Sequence, residues 1–304
     1  MKEVFQVATE VRSALSEGTG VVALETSVIG QGLPAPRSEE CVDRMSDAIR
    51  AAGSVPAWIG VVDGSLVVGL SDEELARFTE PGVASKVARR DLPFAVASDG
   101  LGATTVSATI WAAARAGIVI GATGGIGGVH PGNAPDLSAD LLELARTPGM
   151  LVCSGPKSII DPLATAEKLE ELGVALVGYG VDRLPFFLTR EAPVELEHRV
   201  DTPDEAAAIA RAAGDLGATT TVLLCNPVPA DHAMDADEVA RAANEAELRA
   251  ERAGALGKAR TPFLLAVLAD LSDGRSLEAN LALLEDNARV AGEIAASLSG
   301  ARSG

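Results

Sequence analysis

Four short apolar runs, over residues 21–24, 118–122, 150–153 and 219–225, each stop at a polar or glycine-rich turn. None carries a helical period, so each reads as a buried strand. Ala-, Leu-, Glu- and Arg-rich segments with helical spacing lie between and after them, at 162–172 and 203–216 among others. This alternation predicts a layered α/β protein. Right-handed crossovers bring the carboxyl ends of such strands to one edge, where open α/β folds keep their ligand crevice. The turns expected there are Glu25-Thr26-Ser27, the glycine-rich 123–128, Ser154-Gly155-Pro156-Lys157, and Asn226.

The other segments arrange themselves around this frame. Residues 3–17 read as an amphipathic helix, and Ser38 is a candidate cap for a helix running to about Ala52. Residues 57–62 and 66–70 flank Asp63-Gly64-Ser65, a hairpin signal. Ser71-Asp72-Glu73-Glu74 is a capping box. The charged stretch 86–91 (KVARRD) precedes an expected strand over 94–97. Thr104-Thr105 leads into a helix carrying Trp111, and residues 136–140 open another. A further strand is expected over 174–179. The C-terminal third is helical over about 236–253, 262–271 and 276–298. No linker, charge block or repeat divides the 304 residues, so one domain over 1–304 is the expectation.

Aromatic residues make up 3% of the chain and hydrophobic residues 47%, so the core must be aliphatic. Forty-three acidic against 25 basic residues give a net charge of −18, which repels nucleic acid and anionic membranes. An anionic substrate needs a local basic site to overcome that field. Cys41, Cys153 and Cys225 are odd in number and scattered, which argues against a disulfide framework or structural zinc; Cys153 and Cys225 each end an apolar run and read as buried thiols. The N-terminus lacks a signal-peptide core and no apolar run reaches membrane-spanning length, so the expected location is cytoplasmic.

Lys157 is one of five lysines in the chain and sits where a strand ends. Only an amine forms a Schiff base, so Lys157 is either a nucleophile or an anion clamp. Glu25, in the sequence LETS, is a general acid/base candidate or a solvated carboxylate. Asp136 and Asp140 flank Ser138 and suit either a hard cation or a helix cap. His130 is a titrating or structural histidine. Lys86 with Arg89 and Arg90 forms either a phosphate site or a charged face.

The stretches VALETSVIGQGLP, KVARRDLPFAVA, GATTVSATI, ATGGIGGVH, DLSADLLEL, CSGPKSIID, LVGYGVDRLPFF, CNPVP, GKARTPFLL and SLEANLALLEDNARV resemble, in order, the pseudouridine-5'-phosphate glycosidase family. The resemblance implies a single-domain α/β/α fold with a central mixed sheet, a homotrimer, and a divalent metal, manganese or alternatively magnesium. It implies reversible cleavage of the C–C bond between ribose 5-phosphate and uracil through a lysine Schiff base. By motif match Lys157 is the nucleophile and Glu25 the acid/base. Asp136 matches the metal-binding aspartate. Lys86, the backbone at Val106, Ser138, Ala139 and Asp140 match substrate-contacting positions, and Thr123, His130 and Asn280 other pocket residues. The chemistry agrees, because a C-glycoside has no leaving-group oxygen for a two-carboxylate mechanism to protonate. An imine at C1' makes the adjacent C–C bond breakable instead.

The chain departs from the family at Thr26-Ser27, at Gln31 where a histidine is usual, at Ser154 and Pro156, and over 188–193. These changes leave the sugar-phosphate residues alone and fall where the lid and base pocket are expected. The alternative is therefore a natural-product C-glycosynthase with another carbon nucleophile, an aromatic polyketide or a small heterocycle. A non-catalytic sugar-phosphate binder would not need Lys157, and no nucleotide motif supports a sugar kinase.

Overall fold

The computed structural model describes residues 3–131, 136–255 and 257–300. Among the described residues, 11 strands form one sheet. Its main path runs β1 (Phe5–Val7), β4 (Ser65–Val68), β3 (Val55–Val62), β2 (Val21–Glu25), β7 (Ile120–Ala122), β8 (Gly149–Cys153), β11 (Thr221–Cys225), β9 (Leu176–Tyr179) and β10 (His198–Val200). β2, β7, β8 and β11 are consecutive neighbours and mutually parallel, so their carboxyl ends share one edge as the sequence predicts. The sheet is mixed because β3 pairs antiparallel with β4 and with β6 (Leu101–Thr104). β2 occupies Val55 to Ile59 of β3, and β6 takes Gly60 to Val62 beyond it. Thr26 and Thr104 seal that seam: both hydroxyls donate to the Ile59 carbonyl, at 2.8 and 2.6 Å.

Helices cover both faces. α2 (Arg37–Ala51), α8 (Pro203–Asp215) and α11 (Arg275–Gly300) bury Met45, Ile49, Ala207, Leu283 and Ile294 against one face. On the other, α1 (Thr9–Glu17) and α5 (Val106–Ala116) pack Val11 and Ala112 over β2–β4. α6 (Ala139–Leu144) and α7 (Pro162–Glu171) pack Leu144 and Leu169 over β8 and β11. The result is the expected three-layered α/β/α arrangement. α9 (Ala236–Ala253) and α10 (Arg260–Leu271) form a hairpin beyond it.

Local chemistry explains most boundaries. Asp63 and Gly64 adopt φ of 46° and 81°, the two-residue turn that joins β3 to β4. Ser71 and Glu74 form the capping box of α3 (Asp72–Thr79). Three expectations need correction. The segment expected as a helix over 3–17 begins with β1, whose extended backbone adds an edge strand to β4. Residues 94–97 are not a strand but part of α4 (Leu92–Ala97), where Pro93 suits the first helical turn and Phe94 is 76% exposed. The strand instead is β5 (Ser85–Val87), which carries Lys86 and pairs with β6. Ser38 does not cap α2; it lies inside the first turn with its hydroxyl buried and unpartnered.

Candidate active site

The shared edge of β2, β7 and β8 opens into two adjoining cavities. One, of about 480 Å³, is lined chiefly by Val28, Gln31, Phe187, Pro262, Leu265 and Asn280. The other, of about 880 Å³, is polar, with Arg90, Thr105, His130, Asp136, Ser138 and Asp140 in its wall. Glu25, Ser27, Lys86, Lys157 and Thr261 line both. The two candidate catalytic residues thus stand where an apolar and a polar chamber meet.

Glu25 is the last residue of β2 and is 4% exposed. Ser27 donates to its Oε2 at 2.6 Å, and the Thr123 hydroxyl donates to its Oε1. Burial pushes its carboxyl above the ordinary carboxylate range; Lys157 and the two hydroxyl donors oppose the shift without cancelling it. A carboxyl so placed keeps its proton to higher pH than an exposed glutamate does, and can pass it to a reacting atom.

Lys157 reaches the junction through a tight turn. Gly155 has φ +76°, and a Cβ there would collide with the Pro185 carbonyl. Lys157 N–H donates to the Ile126 carbonyl at 3.1 Å, and its Nζ donates to the Gly125 carbonyl. The Phe187 ring lies close over Gly125, where an added Cβ would sit 2.8 Å from Cδ2. Phe187 itself has φ 53° and donates its N–H to the Ser154 carbonyl at 2.7 Å. A non-glycine residue in that left-handed conformation marks strain held by its surroundings.

The polar chamber gathers most of the remaining candidates. Lys86 enters from β5, and Ser138 caps α6 by accepting from the Asp140 N–H at 3.2 Å. Asp140 is 6% exposed, and its two carboxylate oxygens accept from Ser107 N–H and Gly127 N–H, both at 3.1 Å. It therefore ties α5 to the glycine turn as well as facing the cavity. Ala139 also lines the polar chamber. Val106 does not line it; it is buried at the start of α5, between Thr105, which does, and Ser107. His130 is 9% exposed with Nδ1 unpartnered. Burial holds its imidazole below the ordinary histidine range, against the pull of Asp136 and reinforced by the Arg260, Lys86 and Lys157 charges. Arg90 lines the chamber, whereas Arg89 is committed to Glu143 at 2.6 and 2.8 Å. The basic cluster expected over 86–90 is thus split.

Among the described residues, no three His, Cys, Asp or Glu side chains gather as a metal cage. Asp136 is an exposed carboxylate on the wall of the polar chamber. A single carboxylate fits a hard divalent cation whose other ligands are phosphate and water.

Two further residues, Asn287 and Thr261, bear on the site. Asn287 is fully buried on α11, donates to the Thr123 carbonyl at 2.8 Å and to Ser154 Oγ at 3.1 Å, and accepts from Asn226 at 3.0 Å. Its signal was available: Asn280 and Asn287 are polar and two turns apart on an apolar helix, so they share a face. Thr261, at the start of α10, had no comparable signal.

Fold and cleft together define an α/β enzyme with a lysine and a buried carboxyl at one sheet edge. The chain belongs to the family described as "Indigoidine synthase A like protein", whose pattern it matches over residues 10–297. A pseudouridine-5'-phosphate glycosidase of Symbiobacterium thermophilum is 45% identical over 98% of this chain and 99% of its own length. Another from Gemmatimonas aurantiaca is 46% identical over 96% of each. The prealnumycin C-glycosynthase AlnA, solved in complex with ribulose 5-phosphate, superposes with a TM-score of 0.90 at 41% identity, covering 100% of this chain and 99% of that one. An indigoidine synthase A-like protein from Thermotoga maritima gives 0.89 at 39% identity over 98% and 97%. The family resemblance read from the sequence stands.

Proposed function

We propose that this enzyme reversibly cleaves and forms the C–C bond between ribose 5-phosphate and a base, with pseudouridine 5'-phosphate as the default substrate. The observation that carries the reading is the seam itself: Lys157 and Glu25 border both a polar and an apolar chamber. A sugar phosphate in the polar chamber and a base in the apolar one would put the scissile bond between those two residues.

In cleavage, the Lys157 amine attacks C1', the bond from C1' to the ring oxygen breaks, and the proton lost from the nitrogen ends on that oxygen as a hydroxyl. Glu25 protonates the base carbon, and the C–C bond electrons leave with the base as the nitrogen lone pair forms the imine. Water then hydrolyses the imine to ribose 5-phosphate and free lysine. Synthesis is the reverse, with Glu25 accepting the carbon-bound proton. Lys86, Arg90 and Ser138 serve the phosphate end, and Thr123 orients Glu25. Asp136 would hold a divalent cation, manganese or magnesium, which supplies positive charge at the phosphate. A homotrimer in the cytoplasm completes the proposal. The described residues contain no helix long and apolar enough to cross a membrane.

The close match to AlnA over the whole chain favours one second reading, a biosynthetic C-glycosynthase with a different aglycone. Mass spectrometry of products from ribose 5-phosphate with uracil and a panel of other carbon nucleophiles tests both. A uracil adduct of pseudouridine 5'-phosphate mass is expected. Adducts with the other nucleophiles alone would establish the second reading, and no adduct with any of them would overturn the C-glycoside reaction.

A further inference from the structure

Gln31 lines the apolar chamber from a π-helical turn, Val28–Gly32, that follows directly on Glu25-Thr26-Ser27. Such turns are rare and concentrate at functional sites. The side-chain Nε2 donates to the Ala84 carbonyl at 2.9 Å. A carbonyl oxygen only accepts, so this bond fixes which way the amide faces. The amide oxygen, Oε1, is then left buried from water with no hydrogen-bond partner. A buried acceptor without a donor costs free energy, and one on a residue that lines a cavity can be satisfied by what binds there. The neighbouring polar groups do not supply it. The Thr123 hydroxyl is spent on Glu25, and so is that of Ser27. Lys86, Lys157, Thr261 and Asn280 line the same chamber and carry donors, yet none of them bonds Oε1; Val28, Phe187, Pro262 and Leu265 offer no side-chain donor.

We infer that Gln31 selects the aglycone: its Oε1 accepts a hydrogen bond from a ring N–H of a planar heterocycle bound against Phe187. This deepens the proposed C-glycosidase reaction and rests on it. A ring without an N–H would leave Oε1 unpaired in the complex, and sites built around a hydrogen bond reject ligands that cannot make it.

The test uses the full-length enzyme, ribose 5-phosphate, and uracil beside 1-methyl-, 3-methyl- and 1,3-dimethyluracil. Borohydride trapping of the sugar on Lys157 reads the sugar end and the integrity of the fold separately from the base. Wild type is expected to trap the sugar and to join uracil with kcat/KM about 10–100-fold above at least one N-methylated base, the size of one lost buried hydrogen bond. Gln31→Met keeps length but not the acceptor. It should trap the sugar normally and shrink that discrimination to within about threefold. Gln31→His retains one donor and one acceptor and should keep the discrimination. If wild type traps no sugar, the C-glycosidase reading fails and the inference falls with it. If trapping is intact and Gln31→Met discriminates as wild type does, the inference alone is overturned.

Discussion

Glu25 has two opposed duties, and one substitution separates them. As an acid/base it must lose and regain a proton; as a buried group it is costly when charged. Glu25→Gln keeps the shape but cannot shuttle a proton, so turnover should fall roughly 10²–10⁴-fold. Borohydride trapping of ribose 5-phosphate on Lys157 should survive, because imine formation needs only the amine and the sugar. Stability should move the other way. Below its ordinary value of about 4.5, Glu25 is protonated in both folded and unfolded chains. As pH rises, the unfolded chain releases the proton first, the native state binds more protons, and stability is lost up to the raised native pKa. The glutamine stays neutral throughout. Melting curves should therefore show Glu25→Gln above wild type at pH 8, with the gap closing toward pH 4. Lys157→Ala removes the nucleophile itself and should lose about 10³-fold or more. A borohydride-trapped sugar on Lys86 rather than Lys157 would reverse the two lysines' roles.

At the scale of elements, α11 locks the strand ends that carry the chemistry. Asn287 bridges the ends of β7, β8 and β11 through Thr123, Ser154 and Asn226. Asn287→Ala leaves the Thr123 carbonyl short of its donor and removes an acceptor from the Asn226 side-chain amide, which keeps its 2.8 Å bond to Asp286. The urea midpoint should drop by the equivalent of about 2–4 kcal/mol, the penalty for buried unpaired groups. Turnover should fall about tenfold as well, since small displacements of a catalytic group are costly and Thr123 orients Glu25. A loss of stability with unchanged turnover would show that α11 only supports the sheet. What the sequence made legible follows the same physics. β2, β7, β8 and β11 are buried on both faces, so each is an apolar run cut off by a polar turn, and the site residues at those turns followed from topology. Residues 92–97 are also short and apolar, and periodicity cannot separate a short helix from a strand. β6 is the small-residue stretch Leu101–Thr104, with little side-chain pattern to read, and its pairing with β3 is a purely tertiary fact. Gln31 and Phe187 matter through an unpartnered atom and a backbone angle, neither of which the residue type announces.

For the molecule as a whole, the difficulty is charge. A chain of net charge −18 must admit a phosphate dianion, and long-range repulsion opposes its approach. Lys86, Arg90 and Lys157 offset this locally, yet Asp136 places a carboxylate on the same wall of the polar chamber. A carboxylate facing a phosphate is unfavourable unless a cation lies between them, and an exposed carboxylate completed by phosphate and water suits manganese or magnesium. Exhaustive chelation should therefore lower turnover about tenfold or more, mainly through KM for ribose 5-phosphate, and either ion should restore it. Asp136→Asn separates the two effects. It should need a higher metal concentration for half-maximal activity. In the presence of chelator it should bind ribose 5-phosphate at least as well as chelated wild type, because the repelling charge is gone. Metal analysis and sugar-phosphate binding under both conditions read the two effects independently. Full wild-type turnover after chelation, with no metal bound, would remove the cation from the mechanism and leave the phosphate end to Lys86, Arg90 and Ser138.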